Sequence, residues 1–515
     1  VDKMISNLIA ECLYFPNAES EDASKVILYN PLSWDRNERV FIPLNSLENP
    51  PKLDGEGKPP YAELRYWLAT LGINAPKKDE SPTLKILSSI CQPSGEEPQD
   101  IMANRPAGWW TIIKIPAQSL VVGTIGIIKK KDEEEGEEEE EDEKKEISKN
   151  IDKARDSTKI AMYSSIEGDP EIGNGITTAV FDQTNGALKF LNSDGVNKGK
   201  NLVQGNKNAL CVGYEEQSPD IKYPAWNLKK KYWDHPLNFD QTKSLSFDIV
   251  DNGPIFVTLQ ITKQLGDPLS STKQWFRLYK EDPALYHMWS ADWKTPRTLL
   301  KIELDTTTGA QSCVSDQMYC NLRRTTRPKT LRNKARYEKL MHKFVDLCTP
   351  DSSWGLALIN EGKYGFDTRG GSSINLTLHK TAEYPPPNAG SWAHIERDIR
   401  KKLDGGEVPK YVGLRKISCR FLYYPHPGGT YREDIENVGM EKTPFCTVNK
   451  KAEEFNNPII VSSNRLHPVS VKGPSPLLSQ STNLAFQTSS NLQVKAFKMM
   501  EWVDSNSLVL RVFDT

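Results

Sequence analysis

Hydrophobic and polar positions alternate with a period of two over much of this chain. Residues 244–250 read Ser-Leu-Ser-Phe-Asp-Ile-Val, and just beyond them Ile255, Val257, Leu259 and Ile261 alternate with Phe256, Thr258, Gln260 and Thr262. That period puts one set of side chains on one face of a pleated strand, so both runs predict strands with one face in a core. Asp251-Asn252-Gly253 between them is a hairpin signal, and Asn185-Gly186 marks another tight turn. Residues 289–293 and 299–304 continue the pattern. Further strands are predicted at 25–29, closed by Asn30-Pro31, and at 39–43, 109–115 and 120–128. Late in the chain, 459–461, 492–498 and 507–513 read as strands. Helical spacing is rarer. Met4, Ile5, Leu8, Ile9, Cys12 and Leu13 share one helical face, 61–71 has a more helical character than its surroundings, and 394–403 predicts a helix inside the second β region.

Many short strands with turns between them predict a mainly β protein built of β-sandwich domains. The organisation expected is the end of a helical bundle over 1–17, a first β domain over 25–131, a large β-sandwich over 159–445 and a small terminal β unit over 446–515. Between the β domains lies an acidic loop or linker, 132–158. In its first part, from 132 to 143, eleven of twelve positions are acidic. Such a block repels itself and buries no apolar area, which predicts a solvated, disordered loop; it lacks the spaced ligands and turn glycine of a calcium-binding loop. Val1 opens inside a helical pattern and Thr515 follows directly on an apolar strand, so truncation is expected at both ends.

Composition narrows the function classes. The chain has 515 residues, 37% hydrophobic and 26% charged, with a net charge of −2. No general attraction to nucleic acid or anionic lipid follows, and no apolar run is long enough to span a membrane. None of the eight cysteines forms a CxxC pair, which fits reduced thiols in a cytoplasmic protein, although Cys313 and Cys320 sit where a hairpin could pair them. The seven histidines include no HxH, HExxH or HxxxH pairing, so no metal site is expected in this chain. Nucleophile-elbow, phosphate-loop and dinucleotide-binding motifs are absent as well. Asn375-Leu376-Thr377 is a glycosylation sequon of the kind chance supplies.

Specific segments go further. Tyr29-Asn30-Pro31-Leu32-Ser33-Trp34, Val180-Phe181-Asp182 with Thr184-Asn185-Gly186-Ala187-Leu188, and Tyr223-Pro224-Ala225-Trp226-Asn227 are followed by Gly253-Pro254, Gln274-Trp275-Phe276-Arg277-Leu278-Tyr279, Asp292-Trp293 and Leu299-Leu300-Lys301. Then come the 354–367 segment, with Asn360, Lys363-Tyr364-Gly365 and Asp367, then Tyr424-Pro425-His426 and the late strand 508–513. Their order over residues 25–514 resembles the carboxyl-terminal β portion of glycoside hydrolase family 38 α-mannosidases, of the bacterial, archaeal and cytosolic type. The resemblance implies a galactose-mutarotase-like supersandwich for the large domain. It also implies an intact enzyme that removes terminal α-mannose with retention, using zinc. In the family an Asp nucleophile and a second acid flank the sugar, as retention requires. The family's catalytic residues and zinc ligands would precede residue 1, so this chain alone is expected to be inactive and to hold no zinc.

The resemblance further implies α-mannoside oligosaccharides and the enzyme's own amino-terminal catalytic domain as partners; a homo-oligomer is compatible with it. Candidate substrate-binding residues are Lys363, Tyr364, Asp367 and Arg369 in the loop after strand 354–359, together with Trp226 and His426. Each has a plainer reading. The loop could be a β-turn ordered by an internal Lys–Asp contact, His426 a loop or interface histidine, and Trp226 a packing residue. The alternative to an enzyme portion is a stand-alone carbohydrate-binding or structural β-sandwich module without catalysis.

Overall fold

The computed structural model describes residues 24–30, 32, 36–44, 50–55, 57–68, 85–95, 107–115, 120–127, 168–215, 224–229, 231–318, 320–369, 371–383, 411–428, 447–463, 492–499 and 508–514. The early helix, the acidic block and the 394–403 helix lie outside them. The mainly β expectation holds: strands dominate, with only short helices among the described residues.

The first strands are β1 (Ser24–Tyr29), β2 (Arg36–Pro43), β3 (Ala62–Leu68), β4 (Lys85–Ser94), β5 (Gly108–Ile115) and β6 (Leu120–Ile127). There follow β7 (Glu171–Gly173), β8 (Thr177–Phe181), β9 (Leu188–Ser193), β10 (Cys211–Glu215), β11 (Pro236–Leu237), β12 (Ser246–Asn252), β13 (Phe256–Leu265), β14 (Ser270–Tyr279), β15 (Leu285–Asp292) and β16 (Thr298–Asp305). Next are β17 (Ser312–Gln317), β18 (Cys320–Thr325), helix α1 (Leu331–Ala335), β19 (Lys339–Leu340), β20 (Phe344–Cys348), β21 (Trp354–Asn360), β22 (Gly365–Asp367), β23 (Ser373–Glu383), β24 (Tyr411–Val412) and β25 (Lys416–Pro427). Helix α2 (Thr447–Asn456), β26 (Ile460–Ser463), β27 (Leu492–Met499) and β28 (Leu508–Asp514) complete the order.

The chain divides into two compact units, one of residues 1–99, 103–157 and 457–515, the other of 100–102 and 158–456. In the first, seven strands form a sheet in the order β2-β5-β4-β3-β6-β1-β26. Val26, Leu28, Ile42, Leu64, Trp109 and Ile125 are buried in its core. Strand β3 corrects the helical reading of 61–71. Ala, Glu, Leu and Arg favour helix in isolation, but β3 pairs along its length with β4 on one side and β6 on the other. Ala62 and Leu64 are buried at alternate positions, so sheet pairing overrides local propensity. Ile460–Ser463, expected in a small terminal unit, pairs antiparallel with β1; β27 and β28 form a two-stranded pair of their own.

The second unit sets a nine-stranded sheet, β12-β13-β14-β15-β25-β21-β20-β17-β18, against a seven-stranded one of order β11-β10-β16-β23-β22-β19 with β24 beside β23. Alternation decides what fills the space between them. Leu259, Phe276, Leu358 and Tyr423 from the large sheet meet Leu300, Ile302 and Leu376 from the other in one hydrophobic core. Each fully buried Leu or Ile contributes about 1.5–3 kcal/mol relative to exposure. The far face of the nine-stranded sheet carries Phe344, Ala357, Ile359 and Leu422, covered by Val448 and Ala452 of α2. The hairpin predicted at 251–253 forms, with Gly253 N–H donating to the Phe256 carbonyl (3.1 Å). The β17–β18 hairpin also forms, but its register sets Cys313 opposite Arg324 and Cys320 opposite Gln317. Both thiols are free, which corrects the pairing considered for them.

Candidate functional site

Residues that alternate with the core on β16, β22 and β23 point away from it. Leu300, Ile302 and Leu304 face inward; Lys301 and Glu303 therefore face outward, as do Asp367, Asn375 and Thr377 on the neighbouring strands. There they form a buried polar network around Asp367. Five donors reach its carboxylate: Tyr232 Oη (2.6 Å) and Lys301 Nζ (3.0 Å) at Oδ2, and Asn375 Nδ2 (2.7 Å), Arg369 Nε (2.8 Å) and the Arg369 backbone N–H (3.1 Å) at Oδ1. Lys301 and Asp367 side chains are both 0% exposed. Burial alone would push the Asp367 carboxyl up, but the Lys301 and Arg369 charges and the Tyr232 and Asn375 hydrogen bonds outweigh it and hold the group well below the usual carboxylate range.

The cations are themselves held. Lys301 Nζ also donates to both Glu338 oxygens (3.0 and 2.9 Å) and to Thr377 Oγ1 (2.8 Å). Arg369 Nη2 donates to Tyr214 Oη (3.0 Å) and approaches Glu303 (3.4 Å); Tyr214 in turn bonds Glu303. The guanidinium lies 4.9, 5.3 and 5.9 Å from the ring centres of Tyr214, Tyr232 and Trp233, within cation–π range. Burial pushes the Tyr214 and Tyr232 hydroxyls up, so both stay protonated as donors. Arg369 reaches solvent, with its side chain 23% exposed, as do Glu303 and Glu338 at 17% each. Its Nη1 makes no hydrogen bond among the described residues. This arrangement holds a fixed, partly exposed guanidinium among aromatic rings, which suits recognition of a hydroxyl-bearing or anionic ligand. It does not fit a metal: the Asp367 oxygens are filled and two cations stand against them.

Of the residues singled out from sequence, Asp367 and Arg369 belong to this network. The internal contact considered for Lys363 is replaced, because Asp367 pairs with Lys301 and Arg369 instead. The Lys363 backbone N–H is held by Asn360 Oδ1 (2.7 Å). Tyr364 is 49% exposed and its ring centre lies 6.2 Å from that of His342. Trp226 is 77% exposed, on the turn at 224–226. His426 lies in the other sheet, 1% exposed, with Nε2 3.0 Å from Asp346 Oδ1. Burial pushes its pKa down, but Asp346 and backbone groups at Pro427 and Gly428 outweigh this and leave it raised. Cys348 Sγ donates to the other Asp346 oxygen (3.0 Å). Asn375 of the sequon is buried and bonded to Asp367. Sequence reasoning missed Tyr214, Tyr232, Lys301, Glu303, Glu338 and Asn375. The signal for two of them was present: Lys301 and Glu303 interrupt an otherwise apolar run at every second position.

Residues 172–388, which include every member of the network, match the glycosyl hydrolases family 38 C-terminal domain. That stretch, less than half of the chain, is similar to the family's C-terminal domain. Among characterised proteins it resembles alpha-mannosidase G of Dictyostelium discoideum, 24% identical over 230 residues, 44% of this chain and 20% of that protein. It also resembles human alpha-mannosidase 2C1, 29% identical over 102 residues, 20% of this chain and 10% of that protein. The crystal structure of an alpha-mannosidase from Enterococcus faecalis V583 shares the fold with a TM-score of 0.57 at 13% identity, covering 100% of this chain and 53% of that one. The matches thus span a tenth to a fifth of the characterised relatives and about half of the solved one. Among the described residues, no helix is long and apolar enough to cross a membrane.

Proposed function

We propose that this chain is the non-catalytic carboxyl-terminal β portion of a retaining α-mannosidase, and that Arg369 helps shape the sugar site of the intact enzyme. The observation that carries the reading is a guanidinium held through Asp367, Glu303 and three aromatic rings, yet left partly exposed, inside the region matched to the family domain. A held cation loses little freedom on meeting a substrate hydroxyl, which is how such a group contributes to orientation. Asp367 and Lys301 are positioning residues, since they act through Arg369. Trp226 and Tyr364 offer exposed aromatic faces for sugar C–H surfaces, and Lys363 lies on the same loop as Tyr364.

Zinc and the two carboxylates of retention belong, in this reading, to other residues of the intact enzyme, where zinc would grip sugar hydroxyls as a template. The substrates are terminal α-mannosides, and the setting is cytoplasmic.

The test is Arg369→Gln and Arg369→Lys in the intact enzyme, with kcat/KM on p-nitrophenyl α-mannoside and urea unfolding measured together. We expect Arg369→Gln to lower kcat/KM by at least about tenfold, the scale of one lost charge-assisted contact, with partial recovery in Arg369→Lys. Unchanged kcat/KM per folded molecule would reduce Arg369 to a structural role. The 515-residue chain alone is expected not to turn over this substrate. The second reading, a stand-alone carbohydrate-binding module, is favoured instead if the isolated chain binds mannosides and Trp226→Ala abolishes that binding.

A further inference from the structure

The far face of the nine-stranded sheet, on which α2 also packs, carries a second polar cluster that the proposed function does not use. Asp346 and Cys348 stand on β20, two residues apart and so on one face; His426 stands on β25, with β21 between them. The register runs directly across, Cys348 opposite Gly355 and Gly355 opposite His426. Side chains on strands once removed are separated by about 9–10 Å at the backbone and do not ordinarily touch. Here they converge, because the position between them has no side chain. A Cβ on Gly355 would come within 2.6 Å of His426 Nε2 and Cε1 and 2.9 Å of Cys348 Sγ. One nitrogen, one oxygen and one sulfur ligand atom thereby lie within 4.8 Å of one another.

We infer that Asp346, Cys348 and His426 form a binding site for a thiophilic divalent transition metal of the zinc or cobalt class, with Gly355 providing the space. Tetrahedral bonds of zinc to nitrogen, oxygen and sulfur separate the ligand atoms by about 3.3–3.6 Å. The present contacts, 3.0 Å from Asp346 Oδ1 to His426 Nε2 and 3.0 Å from Asp346 Oδ2 to Cys348 Sγ, need only a small opening to reach that spacing. A thiolate with an imidazole selects zinc or cobalt over calcium or magnesium, which take oxygen ligands. Asp346 and His426 are buried, whereas Cys348 is half-buried, so the thiol side leaves a way in for the ion and for a water as fourth ligand. Binding replaces the Cys348 Sγ–H proton, which leaves to solvent, so affinity rises with pH. The same three side chains without a metal form an aspartate–histidine pair with a thiol donor. That description accounts for the pair but not for a sulfur and an imidazole leaning over a glycine from opposite sides.

The inference is independent of the mannosidase reading. Its test uses the 515-residue chain, reduced, freed of metal by chelator and titrated with Co²⁺. We expect one equivalent to bind with a thiolate-to-cobalt charge-transfer band and the visible absorption of a tetrahedral ion, and Zn²⁺ to displace it. Cys348→Ser should abolish the charge-transfer band and weaken binding by more than the roughly 100-fold that loss of a partner behind a ligand costs. Gly355→Ala should weaken it as well, while Cys320→Ser, at an exposed thiol, should leave the spectrum unchanged. No band in a folded chain, or a band that survives Cys348→Ser, overturns the site. Because Cys348 is half-buried and serine is close in shape, Cys348→Ser keeps the test decisive even if a His426→Gln variant fails to fold.

Discussion

Two buried aspartates on different sheets of the second unit, Asp367 and Asp346, are satisfied to different degrees. Asp367 receives five donors and two full cations, from strands and loops on several sides. Asp346 receives one donor at each oxygen among the described residues, an imidazole and a thiol. Burial penalises an ionised carboxylate in both places, and the protein answers it differently. Around Asp367 five donors fill both oxygens, so the group is fixed and there is no room for a ligand; Arg369, which it holds, reaches solvent. Around Asp346 the described residues supply two donors, and Gly355 lets both lean together, which is the arrangement an added metal ion would use.

The largest expected effect breaks the first arrangement. Asp367→Ala leaves Lys301 and Arg369 without their shared carboxylate, and removing one partner of a buried pair costs about 3–5 kcal/mol; urea unfolding of the chain measures it. The same carboxylate sets a pH dependence. Its native pKa lies below the unfolded value, so its contribution is present above about pH 4 and is lost as pH falls through the native pKa. Acid titration of stability should therefore be less steep in Asp367→Asn than in the parent chain.

Smaller effects sharpen the other side of the comparison. With metal at one hundred times its dissociation constant, the chain should gain about 2.7 kcal/mol in unfolding free energy, and Cys348→Ser should show no such gain. Gly355→Ala, which crowds His426 and Cys348, should cost about 1–3 kcal/mol in the metal-free chain. Cys348→Ser without metal should change stability by less than about 1 kcal/mol, since serine can still donate to Asp346. A large loss there would mean that the thiol is itself part of the core packing.

The ease of reading these regions from sequence differed for the same reason. The loop with Lys363, Tyr364, Asp367 and Arg369 was conspicuous because its charged and aromatic residues are neighbours in the chain, after the uniformly buried β21. Its partners were not, because Tyr232 lies 135 positions from Asp367 and Lys301 comes from another strand. His426 stands out as a histidine between prolines, but its partner Asp346 is 80 positions away, so no closely spaced ligand pair marks it in the sequence. In the first unit, β3 reads as helical because its residues are good helix formers; pairing with β4 and β6 outweighs that preference.

Alternation along the chain was enough to mark strands such as β12, β13 and β16 and the residues that share a face on them, because side-chain direction on a strand follows from a period of two. It thus already separated Leu300, Ile302 and Leu304 from Lys301 and Glu303. Which strands became neighbours, and in what register, was decided only by the tertiary structure. Burial and sheet hydrogen bonding reward many pairings over long separations nearly equally, and a shift of one residue would have turned Lys301 into the core or moved Gly355 away from Cys348 and His426.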